Sequence, residues 1–217
     1  MHSRRSRADV STESVQAIIF DLGKVIVDFD HHTISKKLTH FSPYPEAAIF
    51  DAIFSSGLVQ QFDCGQLQPE VFFAILKQQL RLTLSLPEFQ SFWNTIFSIK
   101  QGMIPLIDAL ATTYTLIGLS NTNVWHFTYC REHFPVLDRF TAWILSYEVG
   151  ISKPDPRIYR CAVEAAGVQP HQCLYIDDVY EFIVAGESVG LQGIHFVSVA
   201  ELVHQLKNYG VSVSRFF

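Results

Sequence analysis

The segment that most constrains the fold is a run of apolar residues that ends at an acidic side chain. Ala17-Ile18-Ile19-Phe20 is rich in β-branched side chains and is followed at once by Asp21 and, two residues later, by Gly23. A short apolar run of this composition predicts a buried strand. In an open α/β sheet, ligands bind beyond the carboxyl ends of the strands. The segment therefore predicts a strand that delivers a carboxylate to a ligand crevice, although an ordinary turn aspartate would give the same pattern.

Length and composition limit the classes of protein. A chain of 217 residues can hold one large domain or a domain with a small insert, and 48% apolar residues can bury a sizeable core. The net charge of −5 and the isoelectric point of about 6.0 give no sign of binding to nucleic acid or to anionic membranes. The four cysteines are scattered without a CxxC pair, which favours reduced thiols in the cytoplasm and argues against a zinc site. The pattern predicts no membrane span and indicates no oligomeric state.

The chain divides into a tail, a helical insert and an α/β core. Residues 1–14 are polar, carry three arginines and lack the apolar stretch of a signal peptide, so they predict a flexible tail. Residues 29–100 are rich in aromatic side chains, keep a helical spacing of apolar residues and lack strand alternation, which predicts a small helical insert. Residues 15–28 and 101–217 then form the core.

Strand-like and helix-like segments alternate from residue 102 onward. The predicted strands are 114–119, 142–145, 173–176 and 194–197, and the predicted helices are 104–111, 157–166 and 199–209. Pro156 is placed to open the second of these helices, Gly167 to stop it, and Ser198 to cap the third. Strands that alternate with helices imply a mostly parallel sheet with helices on both faces. The predicted fold class is therefore α/β, with the helical insert after the first strand.

Two of the predicted strands end at acidic side chains. Asp21 follows the first strand, and Asp177 and Asp178 follow the strand at 173–176. Carboxylates that converge in one crevice repel each other and have raised pKa values, and a hard divalent cation relieves that repulsion. Mg²⁺ prefers one or two carboxylates together with water and phosphate oxygens. The pattern predicts a Mg²⁺ site, although Asp177 and Asp178 could also cap the next helix.

Groups suited to an anionic ligand follow another predicted strand and a later loop. Ser120 offers a hydroxyl, Asn121 an amide and Lys153 a point charge. With a carboxylate nucleophile and a cation they describe a phosphoryl site, in which a carboxylate would attack phosphorus and form an aspartyl-phosphate. Each member also has an ordinary interpretation, as a strand-end turn for Ser120 and Asn121 and as a solvated loop residue for Lys153. Their position at strand ends and loops, in this order, favours the phosphoryl site.

Four segments resemble the four motifs of the haloacid dehalogenase-like hydrolases, and they occur in the order found in that family. The segments are residues 20–28, 119–123, 152–159 and 175–178. The resemblance covers about residues 16–205. It is closest to the phosphatases that act on sugar phosphates such as glucose 1-phosphate and to the phosphatase domain of soluble epoxide hydrolase. It implies a Rossmann-like core, a mobile helical cap after the first motif and a Mg²⁺-dependent phosphatase.

The resemblance also implies roles for individual residues. Asp21 matches the family's nucleophile, which attacks phosphorus and forms the aspartyl-phosphate. The implied metal ligands are Asp21, the backbone carbonyl of Gly23, and Asp178 helped by Asp177. The implied phosphate-binding residues are Ser120, Asn121 and Lys153.

Two positions depart from the family's usual pattern. Its phosphatases usually carry a second aspartate two residues after the nucleophile as general acid/base, and this chain has Gly23 there. The last motif often has an asparagine four residues after its second aspartate, and this chain has Phe182 there. The first departure leaves open what protonates the leaving group: water, the substrate's own hydroxyl, or a cap residue such as His31 or His32.

Three functions are compatible with this sequence. A Mg²⁺-dependent phosphatase that hydrolyses a small, sugar-phosphate-like metabolite fits all four motifs. A 2-haloacid dehalogenase also lacks the second aspartate, but it normally lacks the paired acids that hold a metal. A catalytically impaired protein that binds a phosphorylated ligand or partner is favoured by Gly23 and Phe182. Cap residues would choose the substrate, and Phe62 and Trp93 are candidates, although a buried aromatic side chain usually belongs to the core.

Overall fold

The computed structural model describes residues 14–213 and is built on a five-stranded parallel sheet. Within this range seven strands form two sheets: β1 (Ala17–Phe20), β2 (Val27–Phe29), β3 (Phe97–Ile99), β4 (Thr115–Ser120), β5 (Ala142–Leu145), β6 (Cys173–Asp177) and β7 (Gln192–His195). The larger sheet has the order β5-β4-β1-β6-β7, and each neighbouring pair is parallel. The predicted α/β class is confirmed. The predicted tail at residues 1–14 lies, except for its last residue, outside the described residues.

Strand β1 lies at the centre of the sheet because its side chains are apolar on both faces. All four of its residues are fully buried. Ile19 is in register with Ile117 of β4 and with Tyr175 of β6. Ile18 packs in one hydrophobic cluster and Ile19 in another, because successive side chains of a strand point to opposite faces. A continuous apolar run is the pattern expected for a parallel strand that is covered on both faces.

Eleven α-helices lie within residues 14–213: α1 (His32–Leu38), α2 (Glu46–Phe50), α3 (Leu58–Asp63), α4 (Pro69–Leu80), α5 (Leu86–Asn94), α6 (Met103–Leu110), α7 (Val124–His133), α8 (Ser146–Val149), α9 (Pro156–Ala166), α10 (Tyr180–Glu187) and α11 (Val199–Asn208). A π-helix over Asp51–Ser55 joins α2 to the segment before α3. Of the helices in this range, none is long and apolar enough to cross a membrane.

The predicted helix ends agree with the structure. Pro156 is the first residue of α9, and Gly167 follows its last residue with a left-handed φ of +69° that a glycine adopts without strain. The Ser198 hydroxyl accepts the N–H of Glu201 at 3.2 Å and so caps α11. Helix α7 was not predicted, because its apolar side chains do not follow a single face.

Two strand predictions need correction. The segment 29–100, predicted as a helical insert without strand alternation, also contains β3, which pairs with β2 in an antiparallel ribbon with Phe97 opposite Phe29. Three residues are too few for alternation to be visible in the sequence. Strand β7 begins two residues before the predicted start of 194–197. A side chain at Gly193 would lie 2.5 Å from Ile183 Cγ2, so the glycine lets α10 pack closely but gives no strand signal.

The helices between residues 29 and 100 bury their own set of apolar side chains. Their cluster contains Ile34, Phe72, Phe89 and Trp93, all fully buried, and it also takes in Trp125 of α7. The clusters on the two faces of the large sheet are made mostly of other residues. The helical segment therefore has a separate hydrophobic core that meets the sheet region near its strand ends.

Candidate active site

The parallel strands bring the predicted site residues to one edge of the sheet. Asp21 directly follows β1, Ser120 is the last residue of β4, and Asp177 is the last residue of β6. Because β4 and β6 flank β1, these three residues lie side by side. The backbone N–H of Asp21 donates to the carbonyl of Ile176 at 2.9 Å and extends the pairing of β1 with β6 by one residue.

Lys153 lies between two of the carboxylates. Its Nζ is 2.9 Å from Asp21 Oδ1 and 2.6 Å from Asp177 Oδ2, and its side chain is only 1% exposed. Burial alone would lower the pKa of this ammonium, but the two carboxylates outweigh burial and raise it. Lys153 is therefore a fixed positive charge beside Asp21, and it is not the solvated loop lysine that the sequence left open.

Burial and neighbouring acids hold the pKa of Asp21 high. Burial raises it most, the attraction of Lys153 lowers it, and Asp177 and Asp178 raise it again, to about 7. The pKa of Asp178 is also raised, by burial first and then by Asp177. Such crowding of carboxylates at a partly open site is the electrostatic condition that a bound cation relieves.

A metal ion could be held by the three acids. One carboxylate oxygen from each of Asp21, Asp177 and Asp178 lies within 4.8 Å of the other two. Three carboxylates against the single positive charge of Lys153 leave an excess of negative charge. Oxygen ligands of this kind suit a hard divalent cation. The residues present therefore fit a metal ion of that type.

The three acids are not equivalent as ligands. Asp177 is fully buried; its Oδ2 accepts hydrogen bonds from Lys153 and from the Tyr175 hydroxyl, and its Oδ1 accepts the N–H of Val179 at 2.8 Å. Both oxygens of Asp177 are thus occupied by protein donors. Asp178 is only partly buried, and its backbone carbonyl, rather than its carboxylate, faces the ring of His195 at 2.8 Å. Asp21 and Asp178 have the freer oxygens.

Asn121 holds the loop that carries Lys153. Its Nδ2 donates to the carbonyl of Lys153 at 3.0 Å, and its Oδ1 accepts the N–H of Lys153 at 2.8 Å. This two-point contact fixes the lysine backbone, so the side-chain amide of Asn121 is engaged with protein rather than turned toward an anion. Ser120 is 3% exposed and lines the pocket beside the strand ends.

Gly23 lies against an aromatic ring. A Cβ at this position would come 2.9 Å from Cε1 of Phe29, and the φ of Gly23 is not in the left-handed range. Steric room, rather than backbone conformation, is therefore what favours glycine here. The Lys24 ammonium donates to the carbonyl of Phe29 at 2.5 Å and lies 4.5 Å from the centre of its ring, which holds the ring in place.

Phe182 also contacts the site. The Lys153 Nζ lies 5.0 Å from the centre of the Phe182 ring, a distance at which a cation and an aromatic ring attract each other. The sequence identified Phe182 only as a departure from the family's pattern. The structure places it against the buried lysine.

A pocket of about 90 Å³ opens between the strand ends and the helical segment. Its walls combine residues at the ends of β1 and β4 with residues of the segment 29–100 and with His126 of α7: Leu22, Gly23, Phe29, His31, Phe54, Val59, Asp63, Trp93, Phe97, Ser120, Asn121, Thr122 and His126. The predicted candidates His31 and Trp93 are among them. Phe62 instead stacks on Phe72 within the helical core, with ring centres 4.4 Å apart, and His32 is exposed beside Glu46.

Sequence reasoning missed Asp63 and His126 as pocket residues. Asn123 Nδ2 donates to Asp63 Oδ1 at 2.9 Å and lies 3.2 Å from His126 Nδ1. Burial raises the pKa of Asp63 to about 6, although the hydrogen bond from Asn123 opposes it. No sequence signal connects positions 60 residues apart. The three-residue spacing of Asn123 and His126 at the start of α7 is a local sign that these two residues are neighbours.

The fold and the strand-end cluster define a Rossmann-like α/β protein with a carboxylate and lysine site. A family profile described as haloacid dehalogenase-like hydrolase matches residues 15–190, and the chain belongs to that family. The predicted family is thereby confirmed.

Similar proteins are known among phosphate hydrolases. D-ribitol-5-phosphate phosphatase of Bacteroides thetaiotaomicron is 26% identical over 185 residues, which cover 82% of this chain and 90% of that protein. Flavin mononucleotide hydrolase 1 of Arabidopsis thaliana is 28% identical over 120 residues, 54% of this chain and 48% of that protein. The predicted enzyme class, a phosphatase of this hydrolase family, agrees with the activity of the ribitol phosphate relative.

Solved structures share the whole fold. A HAD family enzyme of Bacteroides thetaiotaomicron superimposes with a TM-score of 0.80 at 23% identity, covering 89% of this chain and 99% of that one. The same enzyme in complex with magnesium and inorganic phosphate gives a TM-score of 0.77 at 23% identity, over 94% and 100% of the two chains. At this level of identity the likeness establishes the fold.

Proposed function

We propose that the protein is a Mg²⁺-dependent phosphatase that hydrolyses a small phosphorylated metabolite through an aspartyl-phosphate on Asp21. The observation that carries the proposal is the buried Lys153, held between Asp21 and Asp177. It is a fixed positive charge beside a carboxylate whose next two residues, Leu22 and Gly23, line the pocket. Attack on a phosphoryl group requires such a charge beside the attacking carboxylate.

In the proposed reaction, an oxygen of Asp21 attacks phosphorus, and the bond from phosphorus to the leaving oxygen breaks. Lys153 and the Ser120 hydroxyl lie where they can balance charge on the phosphoryl oxygens. Water then hydrolyses the aspartyl-phosphate and restores Asp21.

The metal ion would be held by Asp21, Asp178 and the backbone carbonyl of Gly23. When bound, Mg²⁺ supplies positive charge that orients the phosphoryl group and neutralises its oxygens. Because both oxygens of Asp177 are already occupied, we assign it to holding Lys153, and because both amide atoms of Asn121 bind the Lys153 backbone, we assign it to fixing that loop.

The helical segment 29–100 would act as a cap that closes over the leaving group. A pocket of about 90 Å³ with mostly apolar walls has room for a small alcohol and too little for a flavin nucleotide. A sugar or polyol phosphate therefore fits best, and the similarity to D-ribitol-5-phosphate phosphatase supports that class. His31, Asp63 and the other polar groups of the wall would contact its hydroxyls.

The test compares hydrolysis of an aryl phosphate and a polyol phosphate with and without Mg²⁺. We expect turnover that requires Mg²⁺ and is abolished in Asp21→Asn, because an amide of the same shape is not a nucleophile. Asp138→Asn is the matched control, because Asp138 is exposed and pairs with Arg131 away from the site.

Three other outcomes would contradict the proposed function. Retention of more than a few per cent of the rate in Asp21→Asn would exclude Asp21 as nucleophile. Phosphate binding without turnover would identify the catalytically impaired alternative, and metal-independent release of halide from a 2-haloacid would identify a dehalogenase.

A further inference from the structure

Asp63 shares the pocket with the phosphoryl site. It is the last residue of α3, and it lines the same cavity as Gly23 and Ser120. This cavity is the space into which the leaving group of a phosphate ester on Asp21 would extend. Asp63 is the carboxylate that the helical segment contributes to this lining.

The position of Asp63 is fixed by residues that follow β4 and β5. Asn123 Nδ2 donates to Asp63 Oδ1 at 2.9 Å, and the Ser146 hydroxyl donates to the Asp63 backbone carbonyl at 2.5 Å. Ser146 Oγ in turn accepts the N–H of Thr122 at 2.9 Å. Asp63 is thereby tied to the strand-end region, while its Oδ2 has no hydrogen bond from the described part of the chain.

The ionisable groups of the pocket differ in what they can donate. Burial, with the nearby Lys24, lowers the pKa of His31 to about 4, and burial lowers that of His126 to about 3. Both imidazoles are neutral at pH 7, and the two ring nitrogens of His126 face Asn123 and the Trp93 carbonyl. Burial raises the pKa of Asp63 to about 6, so of these three side chains it is the acid with a proton to give near neutrality.

We propose that Asp63 is the proton donor to the leaving oxygen, the role that Gly23 cannot fill. The inference rests on the proposed phosphatase function. As the bond from phosphorus to the leaving oxygen breaks, its electron pair stays on that oxygen, which takes the proton of the Asp63 carboxyl. The Asp63 carboxylate then takes a proton from the water that attacks the aspartyl-phosphate, which releases inorganic phosphate and restores the acid.

The test uses leaving groups of different basicity. In Asp63→Asn, the amide oxygen can still accept the hydrogen bond from Asn123, so the fixed position is kept while the proton is lost. We expect kcat/KM for a polyol phosphate to fall about 100-fold and that for an aryl phosphate to change little, since an aryl oxide leaves without a proton. Asp51→Asn, an exposed aspartate of the same helical segment, should change neither.

A second measurement needs no variant. Across a series of phosphate esters, log(kcat/KM) of the wild type should depend only weakly on leaving-group pKa, and the dependence should become steep in Asp63→Asn. A steep wild-type dependence would overturn the donor role, as would equal losses with both esters or no loss with either. Absence of turnover by the wild type with every ester would instead overturn the phosphatase proposal, and the donor role with it.

Discussion

Replacement of Lys153 by methionine should destabilise the protein far more than the same change at Lys100. Lys153 is 2.9 Å from Asp21 and 2.6 Å from Asp177, and its side chain is 1% exposed. Methionine keeps much of the side-chain volume but removes the charge, so both carboxylates would remain buried without their cation. Removal of one partner of a buried ion pair typically costs about 3–5 kcal/mol.

The surroundings of each carboxylate determine how much unfolding free energy the Lys153→Met variant should lose. Asp177 keeps its hydrogen bonds from the Tyr175 hydroxyl and the Val179 N–H, and Asp21 keeps some contact with solvent. We therefore expect a loss near the lower limit, about 3 kcal/mol in the free energy of unfolding.

The ion pair of Lys100 with Asp28, which serves as the control, is more exposed to solvent. Lys100 lies 2.6 Å from Asp28, but the two side chains are 23% and 46% exposed. Because solvent screens such a pair, the same substitution there should cost about 1 kcal/mol or less.

Urea unfolding measures the loss of unfolding free energy in the Lys153→Met and Lys100→Met variants. The measurement is made without divalent metal and at a pH above the pKa of Asp21, which is about 7. A carboxyl whose folded pKa is raised stabilises the fold fully below its unfolded pKa, and it loses that contribution as the pH rises through the folded pKa. Without Lys153 the pKa of Asp21 should rise further. The unfolding free energy that the Lys153→Met variant loses relative to the wild type should therefore shrink as the pH falls toward 5. Equal losses in the two variants, or a deficit that does not narrow in acid, would refute the reasoning.

Two further predictions concern the metal site and the turn after α3. Mg²⁺ should stabilise the wild type by mass action, by about 2.7 kcal/mol at 100 times its Kd, and Asp178→Ala should remove that gain; a wild-type Tm that stays constant in a millimolar titration would contradict metal binding. Gly65→Ala should lower the free energy of unfolding in urea by at least about 2 kcal/mol more than Gly57→Ala does. Both glycines have a positive φ, but of the two only Gly65 has a backbone oxygen, that of Tyr147, where a Cβ would lie. Equal losses would argue against this close approach.

The strand-end arrangement could be predicted from the sequence because each part of it is local. A short apolar run with a polar residue at its end identifies each of these strands without knowledge of its neighbours. Parallel topology then requires the ends of β1, β4 and β6 to meet at one edge. That is why Asp21, Ser120 and Asp177 were expected together and are found together.

Partners that are distant in the sequence could not be predicted in the same way. The amide of Asn121 was expected to face an anion, but it binds the backbone of Lys153, 32 residues later. The hydrogen bond between Asn123 and Asp63 joins positions 60 residues apart, and no local spacing in the sequence connects them. The chemistry of a side chain is visible in a sequence, but its nearest partner depends on how separate elements pack.

The two departures from the family's pattern occur where aromatic rings fill the neighbouring space. An aspartate at Gly23 and the present position of the Phe29 ring exclude each other, because a Cβ there would lie 2.9 Å from the ring. Phe182 lies against Lys153 and contributes a cation–π attraction of about 0.5–2 kcal/mol. Meanwhile the buried lysine keeps both of its carboxylate partners, Asp21 and Asp177. Since well-packed apolar residues in place of a buried ion cluster are often equally or more stable, stability alone does not account for this cluster. We infer that the site is a working one in which proton donation has moved to the helical segment, and that a catalytically impaired protein is the weaker explanation of the same residues.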